Sequence, residues 1–116
     1  MSLDFYVGKN MDSIDFKSKC VEFDDELQNH LYHIRNKASF DIQPLYGIDP
    51  YDDTIFDEDE IKTIIATCVN LLDSKVLEEY GREASVCILN IKKLCEEVRK
   101  TFFNRRLIKN SFFTRF

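Results

Sequence analysis

DEDEIKTIIATCVNLLDS, residues 57–74, decides the fold. Asp57 is followed three residues later by Glu60, the spacing at which two side chains cap each other's backbone amides at a helix start. Ile61, Ile64, Ile65, Cys68 and Leu72 then recur at the helical period, and Val69 and Leu71 widen the stripe. So wide an apolar stripe belongs to a central helix, which Asp73-Ser74 ends.

Working outward, the pattern predicts a second long helix over 76–102. Tyr80, Ala84, Cys87, Ile88, Ile91, Leu94, Cys95 and Val98 keep the period, while Gly81 interrupts it early and is expected to split off the first turn. Upstream, Phe23, Leu27, Leu31 and Ile34 predict a shorter helix over 24–36. Asp24, Asp25 and Glu26 open it and Arg35 and Lys37 follow it, the charge order that suits the helix dipole. Leu3, Phe5 and Val7 alternate with Asp4 and Tyr6 as in a strand, and Leu107-Ile108 is a candidate strand beside it. Residues 38–56 hold both prolines and Gly47 and read as a long connection, with Phe40-Asp41-Ile42 briefly extended. The predicted fold class is therefore α+β, mainly helical. One domain, residues 1–116, holds two long core helices, one shorter helix and a minor short-strand element near the termini.

Composition fits that reading. With 44% hydrophobic residues, ten Phe, three Gly and two Pro, the chain can build a core and is not loop-rich. The longest uncharged, mainly apolar stretch, Thr63–Leu72, is too short to span a bilayer. The opening MSLDFYVGKN lacks the basic and apolar regions of a signal peptide. Cys20, Cys68, Cys87 and Cys95 include no CxxC pair, and the last three fall on apolar stripes. Reduced core thiols, and hence a cytoplasmic location, are expected.

Charge is unevenly placed. Residues 1–60 hold 15 acids and 5 bases, and residues 61–116 hold 6 acids and 11 bases. The pivot is Asp49–Glu60, DPYDDTIFDEDE, in which seven of twelve residues are carboxylates and none is basic. Its length matches a calcium-binding EF-hand loop, but Tyr51 stands where an oxygen ligand is needed and Thr54 where glycine is needed, so no metal is expected. Asp57–Glu60 is accounted for as a helix start. Asp49, Asp52 and Asp53, around Tyr51, have no such structural reason and form a candidate binding epitope. Tyr46, Tyr51 and Phe56 are candidate aromatic anchors, with Phe56 more readily a core residue.

The remaining chemistry is sparse. His30 and His33 read as helix-surface residues, because HxxH alone is a weak metal signal. No catalytic triad, paired-carboxylate motif or glycine-rich phosphate loop is legible, so neither catalysis nor a cofactor is expected. The basic, aromatic tail with Arg105, Arg106, Lys109 and Arg115 looks like a nucleic-acid or membrane patch. The preferred reading is aromatics packing on the core, and a formal net charge of −5 disfavours nucleic acid as partner.

SLDFYVGKN, IDPYDD ahead of an amphipathic helix, and CILNIKKLCEE near the end together resemble small cytoplasmic bacterial immunity proteins, which neutralise a cognate polymorphic toxin of the contact-dependent growth inhibition type. The resemblance lies in size, acidity and layout. It implies a non-enzymatic inhibitor that occludes the basic active site of a toxin domain, often a nuclease. The residues assigned to that contact are Asp49, Tyr51, Asp52, Asp53, Asp57, Glu58 and Asp59, with a protein partner and no membrane. The alternative is a regulatory or adaptor subunit of a cytoplasmic complex, using the acidic segment and the basic tail as two docking surfaces.

Overall fold

The computed structural model describes residues 3–8, 20–48, 54–78, 80–100 and 106–110. Eight elements follow in chain order: β1 (Leu3–Gly8), β2 (Cys20–Phe23), α1 (Asp25–His33), α2 (Gln43–Tyr46), β3 (Thr54–Phe56), α3 (Glu58–Asp73), α4 (Arg82–Lys100) and β4 (Arg106–Asn110). The protein is a mainly helical α+β fold, as its stripes predict.

The strands form one antiparallel sheet in the order β2-β1-β4-β3. The expected pairing of the terminal strands is present, with Tyr6 opposite Ile108 and Val7 opposite Leu107. The other two strands extend the element beyond that pair. Cys20–Phe23 abuts a helix cap, and Thr54–Phe56 is only three residues long, so neither is long enough to display alternation. Phe5, Phe23 and Phe56, one from each of three strands, bring their rings together. The centroids of Phe5 and Phe23 lie 6.3 Å apart, and those of Phe5 and Phe56 5.9 Å apart. All three rings and Leu107 are buried in the same cluster as the helical stripes. Each such side chain contributes about 1.5–3 kcal/mol by leaving water.

α3 packs on α4, and α4 lies against β1, β2 and β4. Ile61, Ile64, Cys68 and Leu71 are buried, whereas Ile65 and Leu72 sit half-buried at the edge of the stripe. Thr67, the buried polar residue of α3, donates its hydroxyl to Thr63 O at 2.8 Å. On α4, Ala84, Ile88, Ile91, Leu94, Cys95 and Val98 are buried.

The last helix is split where Gly81 was expected to interrupt it, and two other segments differ from expectation. α4 begins at Arg82, because Gly81 has φ +120°, a left-handed conformation costly for any residue with a Cβ. Residues 76–78 and 80 ahead of it are turn, with the amide of Gly81 donating to Leu77 O at 3.3 Å. α1 ends at His33, and the chain turns at Ile34, where Lys37 N–H returns to Ile34 O at 2.8 Å. Phe40-Asp41-Ile42 is not extended. Ile42 is helical (φ −100°, ψ −5°), and the Asp41 carboxylate accepts the Gln43 amide at 2.9 Å, so this segment launches α2.

Cys68 and Cys95 are buried free thiols and Cys87 is a half-buried one. Burial pushes all three pKa values upward, to about 11 for Cys87 and about 12 for Cys95. Cys20 and the tail aromatics carry expectations that lie outside the described side chains. Among the described residues no helix is long and apolar enough to cross a membrane.

Candidate functional site: an acidic groove at the start of α3

The capping box read from the sequence is formed. Asp57 Oδ1 accepts the Glu60 amide at 2.7 Å, and Glu60 Oε1 accepts the Asp57 amide at 3.1 Å. Two of four exposed carboxylates are thus tied to backbone, and the helix dipole stabilises the charge of the whole group. Glu58 leans along the helix toward Lys62, 3.7 Å away, an exposed pair of little energetic weight. Asp59 makes no side-chain hydrogen bond or ion pair among the described residues; its backbone carbonyl accepts the Thr63 hydroxyl at 2.9 Å.

Beside these carboxylates runs a groove of about 490 Å³. Gln43, Pro44, Gly47 and Ile48 form one side, Thr54 and Phe56 the end, and Asp57, Asp59, Glu60, Thr63 and Ile64 the other side. None of these lining residues is basic. Among the residues proposed from sequence, Asp57 and Asp59 line the groove and Glu58 does not. Asp49, Tyr51, Asp52 and Asp53 lie outside the described residues. The chain enters and leaves that segment at Ile48 and Thr54, and both of these line the groove.

Gly47 is needed here. A Cβ at this position would stand 2.8 Å from Gln43 O, the atom that accepts the Gly47 amide. Phe56 is a core residue at 5% exposure and drops out as an anchor. Tyr46 is half-buried, its ring edge-on to Tyr32 at 5.5 Å, and Arg35 lies 3.8 Å above the Tyr32 ring.

A residue missed in the sequence positions the groove. Gln28 is buried on α1, and its Nε2 donates to Ile48 O at 2.8 Å, with Tyr46 O at 3.2 Å and Leu45 O at 3.4 Å sharing the same amide group. It therefore holds the end of α2 at the point where the chain enters Asp49–Asp53. The signal was present: position 28 falls on the Leu27–Leu31–Ile34 stripe, where a polar side chain needs partners.

The two histidines separate. His33 is exposed, its Nδ1 2.7 Å from Asn29 O. His30 is half-buried instead of lying on the surface, because its ring packs on Tyr80 with centroids 4.8 Å apart. Among the described residues no group of three or more His, Cys, Asp or Glu side chains is placed to hold a metal ion. No family model matches the chain, and neither a curated protein nor a solved structure matches it.

Proposed function

We propose that this protein is a non-enzymatic inhibitor of the immunity type, which captures a basic toxin domain in the cytoplasm through the groove beside α3 and the Asp49–Asp53 segment. The observation that carries the reading is the lining of that groove. Asp57, Asp59 and Glu60 stand on one side with no base among the lining residues, and the chain runs into Asp49–Asp53 from its rim. Such a surface complements the basic cleft of a nuclease. Opposed charge speeds encounter to roughly 10⁸–10⁹ M⁻¹s⁻¹ at low salt, which matters when a toxin must be caught before it acts. Free, buried thiols suit a reducing cytoplasm.

The acids supply rate and orientation more than affinity, since pairing them costs desolvation. Tyr51 and the apolar lining, Pro44 and Ile48, are the anchors assigned to affinity. The adaptor alternative drew on the basic tail as a second docking surface. Arg106–Asn110 of that tail is the inner strand β4, which leaves less of the tail open for such a role.

The test is co-expression with the product of the neighbouring gene, followed by pull-down and growth rescue. Rescue by the wild-type protein, lost when Asp52→Lys and Asp53→Lys are combined with Asp59→Lys, is the expected result. Asp59 is chosen over Asp57 because its replacement leaves the capping box intact. Rescue undiminished in the triple variant overturns the acidic-surface mechanism.

A further inference from the structure

α4 has a second, outward face. Together with β2, an outer strand of the sheet, this face borders a groove of about 880 Å³ lined by Val21 and Glu22 on one side and by Val86, Cys87, Asn90 and Leu94 on the other. Val86 is 47% exposed, the one exposed large apolar side chain of α4. It stands beside the hollow, whose apolar wall is Val21, half-buried Cys87 and buried Leu94. A protruding apolar residue and an apolar hollow on one surface can satisfy each other across a two-fold axis.

The charges follow the same symmetry. Along the groove α4 carries Arg82 and Glu83 at its start and Lys93 and Glu97 at its end. An antiparallel copy of the helix, with the axis near Leu89, sets Glu83 against Lys93 of the other copy. The same register lays Val86 over Asn90 and Leu94. Glu83 and Lys93 make no ion pair within the chain among the described residues, so each is free to pair across such an axis. Arg82 to Glu97 covers about 22 Å of helix, four turns of contact. We infer that this face binds a second copy of the chain, with α4 packed antiparallel on the same helix of its partner and β2 at the rim.

Sedimentation of the intact protein over a concentration series tests this. The wild type is expected to form a reversible dimer. Glu83→Lys and Lys93→Glu each turn two symmetry-related attractions into repulsions, so each is expected to weaken dimerisation about tenfold. The double variant restores opposite charges and is expected to return to within about threefold of wild type. Val86→Asp, on an exposed helix position, is expected to give a monomer with an unchanged circular dichroism spectrum. A monomer at every concentration overturns the inference and leaves the groove to a strand of another protein. So does a double variant no better than the single ones.

Discussion

Gln28 shows how much one amide carries. It is buried on α1, yet its contacts lie 17 to 20 residues away at the end of α2, where the acidic segment begins. Replacing it with Leu keeps the volume but strands the Ile48 and Tyr46 carbonyls in a part-buried site. An unsatisfied buried acceptor costs about 1–3 kcal/mol, so Gln28→Leu is expected to lower unfolding stability by that amount in urea titration. Because the loss falls at the groove rim, partner affinity should drop further than for an equally destabilising change in α4. Residues of this kind are hard to read from sequence. The stripe predicts that position 28 faces inward, but the carbonyls that satisfy it come from a segment whose path no local pattern fixes. Asp57 and Glu60 are the opposite case, legible because both partners lie within one turn.

Among the elements, helices are more legible than strands for the same reason. The stripes of α1, α3 and α4 state which face is buried, and the capping box states where α3 starts. β2 and β3 are defined by the partners they pair with, β1 and β4, and carry too few residues to display a period of two. The long connection predicted over 38–56 contains α2 and β3 because Asp41 and Pro44 start a single helical turn, and a three-residue strand completes the sheet. Gly81 was legible as an interruption, and its positive φ explains why the turn before α4 does not join the helix. A Cβ at Gly81 would meet nothing within 4 Å, so the cost of Gly81→Ala is in the backbone alone. A loss of about 1 kcal/mol in thermal or urea unfolding is expected, with no change in partner binding. A stabilised Gly81→Ala variant would contradict the left-handed turn as the stop.

At the scale of the whole molecule, the negative half of the charge distribution is partly tied to particular elements. Part of it caps α1 and α3, and part lines one groove whose rim leads into Asp49–Asp53. The charge map was legible from sequence, whereas the groove was not, because α2, β3 and α3 create it jointly. Under the proposed function, these carboxylates steer a basic protein partner onto the groove. The most direct measurement is the association rate constant with the neighbouring gene product across a salt series, for wild type and for Asp52→Lys combined with Asp53→Lys. Electrostatic steering predicts a wild-type rate that falls steeply as salt rises, and a variant rate that is lower at low salt and nearly flat with salt, the two converging at high ionic strength. Identical salt dependence in the two proteins would contradict it.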